Sequence, residues 1–215
     1  MAKGKIEKRG QRPRKVKPVI LIVTEGSQTE PKYFEHYRNR QTNIDIRVIG
    51  SRTNAGETDY VNLIRKAVEY QSKNEISDSN GDTVWVIADG DVNYNNPDPV
   101  NTKDNLLSKA RKMANDKGIR LALSNPCFEF WYLLHFQYTT GFLKNYSSVK
   151  NILHTHLKGY EKSADVYEQL AAHTVKAIQN AKQVEQYHIQ NGCDKPFGIK
   201  VNPFTDVYQL IESLL

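Results

Sequence analysis

The chain is short of sulfur and of long apolar runs, and each shortage removes a class of explanation. Its 215 residues include two cysteines, Cys127 and Cys193, two methionines and two tryptophans. The cysteines show neither a C-x-x-C motif nor any other zinc-ligand spacing, which fits a reduced, cytoplasmic protein. No stretch approaches the ~20 apolar residues of a membrane span. The N-terminus has no apolar h-region, so a secretory signal is not expected there. Apolar residues make up 39% and charged residues 25%, the balance of a globular protein that is somewhat polar. At this length one large domain, or one domain with an elaboration, can bury a core without staples.

The net charge of +6 is unevenly placed. Of 30 basic and 24 acidic side chains, eight basic ones and Glu7 lie in residues 1–17, leaving 22 against 23 in the rest. The high pI therefore belongs to a tail, and the remainder is nearly neutral. With almost no apolar content, residues 1–17 are expected to be disordered on their own. Two uses stay open for such an arm: neutralising the phosphates of a nucleic acid, or solubilising the chain and binding a partner.

Two short β-branched runs carry the most information. One is Val19-Ile20-Leu21-Ile22-Val23-Thr24-Glu25-Gly26 and the other Thr83-Val84-Trp85-Val86-Ile87-Ala88-Asp89-Gly90-Asp91. Each ends in acid beside a glycine, the pattern of a buried parallel strand opening into a turn. A helix is predicted at about 29–40, capped by Ser27 or Thr29, then a strand at 44–50 and a helix at 58–72. After the second acidic strand, a helix at about 102–117 places Leu106, Leu107, Ala110 and Met113 inward. A fourth strand over 119–124 leads to Asn125-Pro126, read as the cap and first position of an apolar helix from Cys127 to His135. The alternation predicts an α/β fold with a mostly parallel sheet of about four strands and right-handed crossovers. From about 140 onward the pattern predicts helices alone, at 147–157, 164–190 and from Asn202-Pro203 to the end.

Ligands of an open parallel sheet collect beyond the carboxyl ends of its strands. If the two acidic strands are neighbours, their ends lie about 5 Å apart, and Glu25, Asp89 and Asp91 would repel one another unless a cation sat between them. Hard oxygen ligands suit Mg²⁺ or Mn²⁺. Strand alternation would put Asp89 and Asp91 on one side, with Gly90 keeping the backbone uncrowded for a metal or phosphate. Glu30 and Glu129, each on a helical first turn after a strand, are the available additions. Both also read as acids favoured by the helix dipole.

Other polar groups have plainer readings. His135 is expected to be a buried, hydrogen-bonded histidine, and Trp131, Tyr132, Leu133 and Leu134 are expected in the core. His154 and His156 are two apart on a predicted helix and point in different directions. Cys127 and His135 are about 12 Å apart along one helix, too far for a nucleophile and its base. Lys32, Arg52, Lys158, Lys162 and Lys200 are candidates for phosphate contacts, and nothing in the sequence chooses among them.

The segments Val23-Thr24-Glu25-Gly26-x-x-Thr29-Glu30-x-x-Tyr33-Phe34 and Asp89-x-Asp91 resemble the Toprim domain of topoisomerases, primases and overcoming-lysogenization-defect nucleases. With Ser124-Asn125-Pro126-Cys127-Phe128-Glu129-Phe130-Trp131 and Asn202-Pro203-x-Thr205-x-Val207, the chain resembles the RloB-like family of bacterial defence proteins. The resemblance implies a Toprim-like (Rossmann-like) core over 18–137 with helices on both faces, and a helical extension over 138–215. It implies Mg²⁺ or Mn²⁺ held by Glu25, Asp89 and Asp91; two-metal chemistry needs more carboxylates than three, and Glu30 and Glu129 are the additions at hand. The catalytic set would be Glu25, Asp89, Asp91 and Glu129, with Glu25 also a general acid–base. The implied function is a nuclease acting on DNA or RNA, tRNA included, in phage defence or abortive infection beside a partner ATPase. The rival reading is a non-catalytic metal- or nucleotide-binding module that docks to that ATPase. A phosphoacceptor domain is a poorer match, because a lone acceptor aspartate and the usual downstream lysine are missing.

Overall fold

A computed structural model of the chain describes residues 17–38, 43–50 and 60–215. Nearly all of the basic tail, Arg52, and the ends of two predicted helices (39–40 and 58–59) lie outside the described residues. In chain order the elements are β1 (Val19–Thr24), α1 (Thr29–Glu35), β2 (Asp45–Gly50), α2 (Tyr60–Lys73), β3 (Thr83–Asp89), α3 (Pro99–Asp116) and β4 (Arg120–Asn125). They continue with α4 (Glu129–Leu134), α5 (Tyr146–Leu153), α6 (Tyr167–Ala171), α7 (Thr174–Gln190), β5 (Phe204–Thr205) and α8 (Val207–Leu214). The strands form one sheet in the order β2-β1-β3-β4-β5. The first four run parallel, and β5 pairs antiparallel with the end of β4 through Ser124–Thr205 and Asn125–Phe204.

This is an α/β fold with a Rossmann-like core, and the alternation of side chains shows why both faces are covered. On β1, Ile20 and Ile22 enter one apolar cluster while Val19, Leu21 and Val23 enter another. On β3, Trp85 and Ile87 join the first, and Val84, Val86 and Ala88 the second. The first cluster is closed by α1, α4, α5, α7 and α8, the second by α2 and α3. A strand that is apolar on both faces must be central, and β1 and β3 are adjacent in the middle of the sheet. From β1 the chain crosses outward to β2 and then returns past β1 to β3. The crevice between the carboxyl ends of β1 and β3 is thus the topological switch point.

Several sequence expectations need correction. The strand count is five, because Phe204–Thr205 is too short to show a period of two, so the C-terminal part is not helical throughout. The helix expected over 164–190 is two helices, α6 and α7, separated at 172–173. Leu106 points to solvent, and Ala114 takes the inward position instead. α1 has no side-chain cap: Thr29 Oγ1 donates to the carbonyl of Lys162 at 2.9 Å.

Asn125 is not a helix cap. It ends β4, α4 begins at Glu129, and the Asn125 amide donates to the carbonyls of Ile199 at 2.9 Å and Val201 at 2.7 Å. Its Oδ1 accepts from Asn202 Nδ2 at 3.3 Å, and Asn202 in turn exchanges two hydrogen bonds with the backbone of Leu143. Close by, the buried Asp206 carboxylate accepts from Leu123 N–H at 2.7 Å, extending the edge of β4 beyond β5. The Asn125→Ala substitution strands two buried carbonyls. It is expected to lower unfolding free energy by about 2–3 kcal/mol, read as a reduced midpoint in urea without a change of slope.

Candidate metal centre

Glu25 follows β1 directly, and its backbone N–H donates to Ile87 O at 3.2 Å, so it sits against β3. Its Oε2 accepts from the Asp89 N–H at 3.1 Å. Asp89, the last residue of β3, is buried, and its carbonyl accepts from Tyr60 Oη on α2 at 2.8 Å. Its Oδ1 is buried with no hydrogen-bond partner among the described residues. Glu30, in the first turn of α1, and Glu129, in the first turn of α4, are both buried. Glu30 Oε1 accepts from Gly26 N–H at 3.2 Å, and Glu129 Oε1 accepts from Tyr160 Oη at 3.2 Å. Asp91 lies past the end of the strand and is exposed. All five carboxylates line one cavity of about 260 Å³ with Gly26, Phe128 and Lys162.

The glycines explain how acids can pack so closely. A Cβ on Gly26 would lie 2.3 Å from Glu30 Oε2, so only glycine lets Glu30 fold back beneath β1. A Cβ on Gly90 would lie 2.6 Å from Asn125 Oδ1. The close packing of Asn125 at the end of β4 therefore requires glycine at position 90.

The electrostatics centre on Asp89. Burial raises its pKa well above the usual carboxylate range, and Glu30, Glu25, Glu129 and Asp91 raise it further, in that order. Burial also lifts Glu30, to about 7, with Glu129 and Glu25 adding to the shift against the hydrogen bonds to its own and the Gly26 N–H. Desolvation raises Asp91, opposed by Lys162 and Lys103. Burial works against the Lys162 ammonium, but Glu129, Asp89 and Asp91 outweigh it and its pKa rises. Like charges in a desolvated cleft are relieved by protons or by a bound cation.

A divalent ion suits this donor set. The oxygens are hard, and the buried Asp89 Oδ1 has nothing else to bind. Among the described residues, no three His, Cys, Asp or Glu side chains stand close enough together, as they are, to hold a metal ion. The carboxylates therefore share a cavity without forming a finished shell. A larger cavity of about 370 Å³ at the amino ends of β3 and β4 mixes Arg111, Arg120 and Lys195 with Glu185, Asp194 and Asp206. Its opposite charges already compensate one another, so it lacks the unrelieved repulsion around Asp89.

The remaining candidates sort cleanly. His135 is fully buried, its Nδ1 2.9 Å from the Trp131 carbonyl, and burial lowers its pKa to about 4. Trp131, Tyr132, Leu133 and Leu134 are core residues. His154 and His156 bond to different partners, Tyr160 O and Gln137 Oε1. Of the suggested lysines, Lys162 reaches the acidic cavity, Lys32 is bonded to the Ser163 carbonyl, and Lys158 and Lys200 are exposed. Tyr60 and Tyr160, each bonded to a site residue, carried no signal in the sequence.

The raised carboxyls fix the sign of a pH effect on the protein without divalent ions. Unfolded carboxyls titrate near 4, whereas Glu30 and Asp206, both raised by burial, titrate at about 7 in the fold. Protons bound only by the folded state stabilise it, so that stability is complete below ~4 and lost as pH rises through about 7. In EDTA, melting at pH 6.5 is expected to exceed that at pH 8 by roughly 3–6 °C, from about 1–2 kcal/mol. As pH falls through about 6.5, the buried neutral His135 opposes the trend, because the unfolded chain gains a proton that the folded one refuses. A melting temperature that rises from pH 6.5 to 8 would contradict this account.

A family model described as RloB-like protein matches residues 20–214. No curated protein and no solved structure matches the chain. Among the described residues, no helix is long and apolar enough to cross a membrane. The match runs from β1 to the last turn of α8 and so includes every element that lines the acidic crevice: the chain belongs to the RloB-like family.

Proposed function

We propose that the chain is a divalent-metal-dependent, Toprim-type nuclease that hydrolyses phosphodiesters of DNA or RNA, tRNA included. The observation that carries this reading is the buried Asp89 carboxylate, with one oxygen unpartnered and four other carboxylates around it, at the switch point of a parallel sheet. Asp89, Glu25, Glu30 and Glu129 would hold Mg²⁺ or Mn²⁺, with Asp91 at the mouth. Such an ion, when bound, polarises a phosphoryl oxygen and lowers the pKa of water.

The chain's own groups do the rest. Glu25 is half-buried at the strand end and hydrogen-bonded to Asp89 N–H. In this reading it would accept the proton of an attacking water and return one to the leaving oxygen. Tyr160 orients Glu129, and Tyr60 holds the end of β3. Lys162 brings one positive charge to a cavity that must admit an anionic phosphate. The pairing with an ATPase and the role in phage defence rest on the family resemblance.

The purified full-length chain should cleave labelled nucleic acid with Mn²⁺ or Mg²⁺, alone or with the product of its neighbouring gene, and EDTA should stop the reaction. Asp89→Asn and Glu25→Gln should each lower the rate by at least ~100-fold while the protein stays folded. Cleavage that survives either EDTA or Asp89→Asn would refute the assignment. Absence of cleavage together with tight ATPase binding would replace it with a non-catalytic docking module. Binding gives a second readout: Mn²⁺ at pH 8 should raise the melting temperature by a few degrees, about 1–3 °C, and Asp89→Asn should abolish that increment.

A further inference from the structure

Outside the residues that line the acidic cavity, the segments tied to its carboxyl-end frame carry exposed aromatic rings and lysines. Three residues beyond Asp91, Tyr94 is 37% exposed, and Lys144 Nζ lies 5.2 Å from the centre of its ring. Phe142, 65% exposed, is two residues before Lys144 on the segment joining α4 to α5. That segment is tied to the carboxyl end of the sheet. Leu143 exchanges hydrogen bonds with Asn202 at 2.9 Å, Asn202 donates to Asn125 at the end of β4, and Asn125 packs on Gly90 between the two aspartates. Lys162 lines the cavity itself, and its Nζ lies 4.4 Å from the centre of the half-buried Tyr146 ring.

Exposed large aromatics are unfavourable in water, and Phe142 has no hydroxyl to offset that cost. A cleft of carboxylates would also repel a polyanion unless cations held it at the rim. Flat apolar rings alternating with lysines meet both requirements when the partner is a strand with unpaired bases. The rings stack on base faces while the ammonium groups lie beside phosphates. In a duplex the base faces are covered by their neighbours, so the rings gain little from it.

We propose that this rim binds single-stranded nucleic acid, with Tyr94 and Phe142 stacking on bases and Lys144 and Lys162 contacting phosphates on either side of the acidic crevice. The proposal builds on the reading of the crevice as a phosphodiester site, and it names the substrate's form.

Fluorescence anisotropy of the full-length chain in EDTA, with 12-mer oligonucleotides at fixed salt, tests it without any cleavage. Single strands are expected to bind at least ~10-fold tighter than the duplex of the same sequence. The preference is expected with DNA, RNA or both, and the tighter of the two identifies the natural source. Tyr94→Ala with Phe142→Ala should weaken single-strand binding by about 10–100-fold and change duplex binding by no more than about twofold. Tyr94→Leu with Phe142→Leu, which keeps apolar bulk without flat rings, should show the same loss and serves if the alanine variant folds poorly. Lys144→Gln should reduce the slope of log affinity against log salt by about 1. Equal or tighter duplex binding by the unmodified chain, or single-strand affinity unchanged in the ring variants, overturns the proposal. Single-strand preference without cleavage under any condition would sink the nuclease reading and leave this one intact. Cleavage with duplex preference would do the reverse.

Discussion

Asp89 is buried at the carboxyl end of a central strand with Glu25, Glu30, Glu129 and Asp91 around it, and this crowding of like charge governs the design of the site. Desolvation and mutual repulsion both oppose ionisation there, so the cluster is relieved only by protons or by a cation. The same constraint explains the surrounding hydrogen bonds. Gly26 N–H serves Glu30, Asp89 N–H serves Glu25, and Tyr160 Oη serves Glu129. For Glu30 the Gly26 donor favours the charged form of a group that burial pushes toward neutrality.

A cleft of this kind must be assembled from rigid parts, and the packing supplies them. β1 and β3 are apolar on both faces and immobilised between two cores. Asn125 locks the end of β4 to residues 199–202, and through Asn202 to Leu143. On the opposite side, the segment after α5 is fastened to α1. Thr29 Oγ1 donates to Lys162 O, and His36 meets Asp165 at 2.8 Å while stacking on Tyr167. The C-terminal helices are thus part of the frame that holds the crevice open and places Lys162 over it.

Much of this was legible in the residues, for physical reasons. Acid beside glycine at the end of a β-branched run is a local pattern, so Glu25, Asp89 and Asp91 could be named together before their contacts were known. Glu129 and Glu30 were harder, because a first-turn acid has a local explanation in the helix dipole. Burial of both, with unlike partners in Tyr160 and Gly26, was needed to place them at the cavity. Asn125 was misread for the same reason: Asn-Pro before an apolar run has a local meaning as a cap, and its actual partners lie more than 70 residues away. The two-residue β5 and the break between α6 and α7 leave no periodic trace, so pattern reading could not find them.

By itself the sequence determined the alternation of apolar strands and amphipathic helices, hence the α/β class, and it placed an acid at the end of each central strand. These follow from local periodicity and from the need to bury apolar faces. Tertiary structure decided which acids meet. It made β1 and β3 neighbours, turned Glu30 under Gly26, brought Glu129 in from α4, and delivered Lys162 from a distant loop. It also set the proton affinities, because a carboxylate's pKa depends on the solvent and charge around it, and these exist only once the chain has folded.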